Sequence, residues 1–340
     1  MKAIRIHQHG GPEVLRYEEV PDPVAGPDEV LVQVRACALN HLDIFVRQGL
    51  PGIALPHIPG ADVAGVIAEV GAQVQGLSQG QRIIVNPSLS CGHCEYCIQG
   101  QDSLCDSYRI LGEQVDGGYA EYLAVPADNV HLIPDGFSFE EAAAVPLVYQ
   151  TAWRLLVSRA QLKAGEDILI LGAGGGVASA AIQIAKLCGA RVWATSSSSV
   201  KLERARELGV DVLINYKTSD FAKEIRRLTD KRGVDVVLDN VGEATWEQSL
   251  RSLAKNGRLV TCGATSGPRP PTDIRLVFWR QLQIFGSTMA NRHEFSEVLR
   301  LVWQGKLKPV VDRSFPLGEA AAAQRALEAG EHFGKLVLVP

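Results

Sequence analysis

The sequence predicts an α/β protein in two parts, a β-rich domain and a doubly wound, six-stranded parallel sheet. Three observations predict it. Short apolar–polar runs dominate residues 1–150, strand-like and helix-like segments alternate from Asp167 onward, and a glycine cluster at Gly172–Gly176 joins a buried strand to a helix. At 340 residues the chain is also longer than one ordinary core.

In the first half, Glu29–Ala38 (EVLVQVRACA) alternates as a half-buried strand does. Ala64–Val70, Arg82–Val85 and Ala120–Val125 are similar runs set between glycine and proline turns. Leu42–Gln48 and Glu140–Val145 are the helix candidates there. In the second half Ile168–Leu171 is an unbroken apolar run, suited to a strand buried on both faces. A helix follows from Val177 and ends at Gly189. Strands are expected at Val192–Thr195, Val212–Ile214, Val234–Asp239, Arg258–Cys262 and Leu282–Phe285, with helices at Val200–Leu208, Phe221–Leu228 and Thr245–Leu253 between them. The tail carries helical patterns at Glu294–Trp303 and Glu319–Ala329 and a last strand at Leu336–Val339.

Composition bounds the function. The chain is 46% hydrophobic and 21% charged, with a net charge of −4, so no basic surplus suggests nucleic acid. No apolar run approaches the ~20 residues of a membrane helix, and the start MKAIRIHQHG lacks an apolar signal core. A cytoplasmic protein with no membrane partner is expected.

Seven cysteines are present, and four follow the pattern Cys91-x2-Cys94-x2-Cys97-x7-Cys105. Four thiolates on a glycine-containing loop can close a tetrahedral shell around zinc. An iron–sulfur cluster accepts the same ligands and is the competing occupant. A closed shell leaves no position for substrate, so one structural zinc per chain is expected. His93, between two ligands, is read as a solvent-facing loop residue, and Cys37, Cys188 and Cys262 as small buried apolar side chains.

Strand, glycine turn and helix N-terminus form an anion site, because free backbone N–H groups and the helix dipole point at one spot. A dinucleotide pyrophosphate is the usual occupant of such a turn in a Rossmann-type sheet. A strict G-x-G-x-x-G fails at Val177, whereas Gly172-x-x-Gly175-x-x-Ala178 places small residues at all three positions. Gly172, Gly175, Gly176 and Val177 are therefore the pyrophosphate candidates. The next strand ends Ala194-Thr195-Ser196-Ser197-Ser198-Ser199-Val200-Lys201, with no acid before Glu203. A carboxylate there would accept from the ribose 2′-OH, but Ser196, Ser197 and Lys201 suit a 2′-phosphate. NADPH is thus expected over NADH, and the same serines can also cap the following helix.

Over essentially its whole length the chain resembles the medium-chain dehydrogenases/reductases. Gly10–Leu15 (GGPEVL), the cysteine lobe, the glycine turn and Gly334–Leu338 (GKLVL) fall in that family's order. The resemblance implies a chaperonin-10-like catalytic domain (1–150 and 291–340, zinc lobe 86–112) and a dinucleotide-binding domain (151–290), with the active cleft between them. In the zinc alcohol dehydrogenase branch, three catalytic metal ligands fall where this chain has Asn40, Ala61 and Leu147, and a proton-relaying hydroxyl falls at Leu42. None of the four is kept. The quinone oxidoreductase branch has Asn and Asp at positions matching Asn40 and Asp43, though it typically lacks the cysteine lobe.

The same resemblance assigns further roles. Lys201 and Tyr216 flank the 2′-phosphate; Thr151, Asn240–Gly242 and the Cys262–Ala264 loop containing Gly263 line the nicotinamide; Ser287 and Asn291 hold its carboxamide. Asn40, His41 and Asp43 are the catalytic candidates. His41 reaches the pyrophosphate or donates a proton, or is merely hydrogen-bonded at the cleft edge; Asp43 is equally a helix-turn acceptor. Tyr149 narrows the substrate pocket or packs at the domain junction. The expected activity is hydride transfer from NADPH to a small conjugated carbonyl or quinone without catalytic zinc. The rivals are an NAD(P)-dependent alcohol dehydrogenase recruiting metal through His41, Asp43 and Asp62, and a nucleotide-binding protein without turnover. The last parallel strand, after Val277-Phe278-Trp279, is an edge through which a homodimer, or a homotetramer built from it, would pair.

Overall fold

In the computed structural model, which describes all 340 residues, the chain separates into two units. The first comprises Met1–Leu147, Asn291–Ser296 and Pro309–Pro340; the second comprises Val148–Ala290 and Glu297–Lys308. Glu297–Lys308, expected with the tail of the first domain, groups with the second unit. Hydrogen bonds explain this: the Lys308 carbonyl accepts from Tyr149 Oη at 2.6 Å, and its N–H donates to Gln183 Oε1 at 2.8 Å. No helix is long and apolar enough to cross a membrane.

The first unit is built on a seven-stranded sheet whose centre is the strand Glu29–Ala38. One neighbour is Asp62–Val70, antiparallel, with Ala38 opposite Asp62. The other is the C-terminal strand Lys335–Val339, also antiparallel, with Val337 opposite Ala38. The tail thus completes a sheet begun some 300 residues earlier in the chain. Its apolar face, including Val30, Val32, Val34, Ile67, Ile83, Leu336 and Leu338, forms one core. The helix His41–Gln48 leaves the end of the central strand and stops at Gly49, whose φ of 116° favours glycine. Sequence reading missed a small antiparallel pair, Lys2–Arg5 with Arg16–Glu19, because its second strand is mostly exposed and carries no alternation.

In the second unit the strands Asp167–Ile170, Arg191–Ser196, Val212–Asn215, Val234–Leu238, Leu253–Thr261 and Gln283–Gly286 form one parallel sheet. Their spatial order is third, second, first, fourth, fifth, sixth. This is the doubly wound order, whose reversal beside the first strand opens a ligand crevice at the carboxyl ends. The sixth strand lies at the sheet edge, as expected. Before it the structure has a helix, Ile274–Arg280, that exposes Ile274, Phe278 and Trp279. No clear amphipathic pattern announced it, since Ile274, Phe278 and Trp279 face solvent and only the adjacent Leu276 and Val277 pack, half-buried, against the core.

Candidate active site and zinc lobe

Parallel pairing gathers Gly172, Ser196, Tyr216, Asn240, Gly263 and Ser287 at one end of the second unit's sheet, at or just beyond the strands' carboxyl ends, whereas Thr151 lies on the helix Pro146–Trp153 ahead of the first strand. Gly172 follows the first strand with φ of 68°, and a β-carbon added there would meet nothing within 4 Å. Gly175 caps the helix Gly176–Leu187, and only one atom, the Gly172 carbonyl oxygen at 3.5 Å, lies near a β-carbon built on it. The turn is therefore open above, and the first N–H groups of a twelve-residue helix, from Gly176 and Val177, lack helical partners. Ala178 is buried, as expected of the residue that lets helix and strand approach. The cradle fits a pyrophosphate.

At the end of the second strand, Ser196 is buried and its carbonyl accepts from the Tyr216 N–H at 3.2 Å, so the structure brings those two predicted residues together. Ser198 caps the helix Ser199–Glu207 by accepting from the Lys201 N–H at 3.4 Å, which leaves Ser197 outside the cap. Glu203, the first acid, is exposed on that helix and paired with Arg206 at 3.2 Å. After the fourth strand, Asp239 is fully buried and accepts from Val241 N, Gly242 N, Thr245 Oγ1 and Ser249 Oγ, which fixes the turn bearing Asn240. Gly263 lies against that turn, 3.5 Å from the Asn240 carbonyl oxygen to a β-carbon built on the glycine. Ser287 N donates to Thr261 O at 2.9 Å while its hydroxyl has no partner. Thr151 is buried, with Oγ1 3.8 Å from Met289 Sδ. Asn291 Oδ1 accepts from Glu294 N at 2.8 Å and caps the helix Arg292–Trp303.

The catalytic candidates lie in the first unit. Asn40, two residues past the central strand, caps the helix opened by His41, Leu42 and Asp43, with Asn40 N donating to Asp43 Oδ2 at 2.8 Å in a capping box. The Tyr119 hydroxyl donates to the same oxygen at 2.8 Å, while Asp43 Oδ1 has no partner. Burial pushes the Asp43 carboxyl up to about 6, against the pull of those two hydrogen bonds. Asp43 is thus the helix-turn acceptor of the sequence reading. His41 reaches solvent; surrounding protein, and after it the Lys335 cation, hold its imidazole below the ordinary value. Ala61 is fully buried, and the N–H of Leu147 donates to Asp62 Oδ1 at 2.8 Å.

Sequence reasoning missed the centre of this cluster. Lys335, 3% exposed, donates from Nζ to Asn40 Oδ1 at 2.6 Å and to Asp62 Oδ2 at 2.9 Å. Asn40 Nδ2 donates to that same Asp62 oxygen at 2.9 Å. A charge at the head of an otherwise apolar strand, Lys335–Val339, was the available signal. The metal-recruiting trio of His41, Asp43 and Asp62 is not assembled; the one cluster of His, Cys, Asp or Glu suited to a metal is elsewhere.

That cluster is the cysteine lobe. The four Sγ atoms of Cys91, Cys94, Cys97 and Cys105 lie within 4.8 Å of one another, with Cys91 and Cys97 3.9 Å apart. Sulfurs at tetrahedral corners around zinc are about 3.8 Å apart, so the donor set fits. N–H groups already point at the sulfurs: Cys94 N at Cys91 Sγ, and Cys91 N and Ser107 N at Cys105 Sγ. The backbone N–H groups of Cys97 and Asp106 bring Cys94 down to about 6, which favours a thiolate ligand, whereas burial lifts Cys97 to about 12 in the metal-free set. His93 is exposed and engages the Cys91 carbonyl rather than the cluster. Of the remaining cysteines only Cys37 is fully buried; Cys188 and Cys262 are half-buried rather than in the core as expected.

Comparison with known proteins agrees with this fold. The alcohol dehydrogenase GroES-like domain matches residues 26–135, and the zinc-binding dehydrogenase family matches residues 176–304. The NAD-dependent alcohol dehydrogenase of Saccharolobus solfataricus is 36% identical over 351 residues, covering both chains completely. The chain belongs to the medium-chain dehydrogenase/reductase superfamily. Another relative, the acryloyl-coenzyme A reductase of Sulfurisphaera tokodaii, is 32% identical over the full length of both chains. A crystal structure of an NAD-dependent alcohol dehydrogenase superposes with a TM-score of 0.96, at 47% identity and complete coverage of each chain. This medium-chain dehydrogenase/reductase is accordingly an NAD(P)-dependent oxidoreductase, and its four-cysteine cluster suggests a structural zinc.

Proposed function

We propose that this dehydrogenase/reductase uses NADPH to reduce a conjugated carbonyl compound or a quinone, without a catalytic metal. The observation that carries the reading is the buried ring of Asn40, Asp62 and Lys335. Positions 40, 61 and 147, where the zinc branch would keep its ligands, hold an asparagine already hydrogen-bonded to Lys335 and Asp62, a buried alanine and a leucine. An unactivated alcohol needs a Lewis acid or a base to release its proton before hydride leaves. A conjugated acceptor is electrophilic without one, so holding it in place and donating hydrogen bonds to the developing enolate suffices. The similarity to a relative named for reducing an acryloyl thioester, itself a conjugated acyl group, supports the same class.

The nucleotide would lie on the glycine turn, with Gly172, Gly175, Gly176 and Val177 at the pyrophosphate and Ser196, Ser197, Lys201 and Tyr216 around the 2′-phosphate. Thr151, Asn240, Gly263 and Ser287 line its nicotinamide end. NADPH, when bound, supplies the hydride. We assign Asn40 to orienting the acceptor and His41 to the pyrophosphate or to proton delivery. A pair of chains joined through the edge strand Gln283–Gly286 would also cover Phe278 and Trp279, 62% and 79% exposed, so we infer a homodimer.

Stopped-flow oxidation of NADPH against a panel of quinones, enones and simple aldehydes tests the activity. Turnover with conjugated acceptors supports it; turnover confined to simple aldehydes or alcohols restores the alcohol dehydrogenase reading. Light scattering on the eluting protein tests the dimer.

A further inference from the structure

The Lys335 ammonium is buried against an acid and a neutral carboxamide, Asp62 and Asn40. Asp43 from the helix His41–Gln48, Asp62 from the strand Asp62–Val70, Cys37 from the central strand and Tyr119 all crowd this region. The sheet register forces the lysine there. Val337 pairs with Ala38 and the Leu39 N–H donates to the Leu336 carbonyl at 2.9 Å, so the next residue back along the tail, Lys335, comes beside Asn40. On the other side of the central strand Asp62 sits opposite Ala38. Three segments far apart in sequence meet at one ammonium.

We propose that Lys335 is the resident cation of this site: it stands where a divalent metal would otherwise be held, locks the Asn40 carboxamide in one orientation and keeps metal ions out. The inference rests on the metal-free reading above. The locking follows from donor and acceptor bookkeeping. An ammonium only donates and an ionised carboxylate only accepts, so Asn40 must turn its oxygen to Lys335 and its NH2 to Asp62. The flipped carboxamide would oppose donor to donor and acceptor to acceptor. Exclusion follows from charge and occupancy, since Asn40 Oδ1 and Asp62 Oδ2, the oxygens a cation would need, are both engaged by the ammonium. Lys335 is therefore a positioning residue that acts through Asn40 and Asp62.

The test uses the full, zinc-loaded chain as wild type, Lys335→Met and Lys335→Arg. Each is assayed for zinc content, for cobalt uptake by equilibrium dialysis with visible absorption, and for steady-state kinetics. Wild type should keep one zinc per chain and bind no cobalt beyond it. Lys335→Met should retain the cysteine-bound zinc, bind cobalt at least tenfold more tightly than wild type, and lose at least tenfold in kcat with the KM for NADPH within twofold. Lys335→Arg should still exclude cobalt and recover part of kcat. A second metal ion bound by the wild-type chain overturns the proposal with no variant needed. So does a folded Lys335→Met chain that excludes cobalt as wild type does. Failure of the functional reading is distinguishable: it would show as turnover of simple aldehydes or alcohols alone, whatever the cobalt result.

Discussion

The Tyr119 hydroxyl donates to Asp43 Oδ2 at 2.8 Å, and neither side chain reaches water. Burial places the Asp43 carboxyl at about 6 in the folded chain, above the ~3.9 of an unfolded aspartate. The sign follows from linkage. A raised folded-state value contributes stability that is full below the unfolded value and lost as pH rises through about 6. Asp43→Asn removes this titration and leaves an oxygen to accept from Asn40 N and Tyr119. Denaturant unfolding of both proteins between pH 4 and 8 should show wild type losing, relative to the variant, on the order of 2–3 kcal/mol across that window. A difference independent of pH would remove Asp43 as the titrating group.

The four sulfurs of the cysteine lobe are gathered within 4.8 Å, on a loop with few apolar contacts of its own; Ile98 and Leu104 are exposed. Such a loop needs its metal for order. Cys94→Ser should lower zinc content from one per chain toward zero and cost about 3 kcal/mol or more of stability, as losing a structural metal does. Limited proteolysis should then cut within residues 91–105. Because the closed shell offers no open coordination position, turnover measured below the unfolding transition should fall by less than about threefold. A collapse of kcat in a folded variant would give this zinc a part in the chemistry.

The sequence discloses features whose causes are local. Phe221–Leu228 and Arg82–Val85 are read to the residue because helical and strand periods there run between clear turn residues. The cysteine spacing reports four ligands because one short loop carries them all. The helix Ile274–Arg280 escapes reading because Phe278 and Trp279 point outward, so its pattern does not mark a buried face. Lys335 escapes for a different reason. Its partners Asn40 and Asp62 are 295 and 273 residues away, and only the register of the tail strand against the central strand brings them into contact. Asn40, Ala61 and Leu147 are each legible alone as departures from the zinc branch's ligands; the meeting of Lys335 with Asn40 and Asp62 depends on pairing no local pattern encodes.

In the proposed reading nucleotide choice turns on Ser197, which lies beyond the strand Arg191–Ser196 and outside the serine cap of the next helix. No carboxylate stands before Glu203, and that acid is paired with Arg206. Ser197→Asp would bring a negative charge against a 2′-phosphate and offer an acceptor to a 2′-hydroxyl. Fluorescence titration should show NADPH affinity falling about 10–100-fold, equivalent to ~1.4–2.8 kcal/mol, with NADH affinity unchanged or improved. Equal losses for both nucleotides would place Ser197 away from the 2′ position.

Gly172 combines φ of 68° with empty space where a side chain would stand. Two effects of Gly172→Val are therefore separable. The strained backbone costs stability on the order of 1–3 kcal/mol, which unfolding measures with no ligand present. The isopropyl group should cost binding, because it would fill the space above the turn where, in the proposed reading, the helix N–H groups of Gly176 and Val177 would meet the pyrophosphate. Gly172→Ala carries most of the strain with little of the bulk. Affinity for the nucleotide should thus fall at least tenfold further in Gly172→Val than in Gly172→Ala, while their stabilities differ by less than about 1 kcal/mol. If the two variants bind alike, the pyrophosphate lies elsewhere than on this turn.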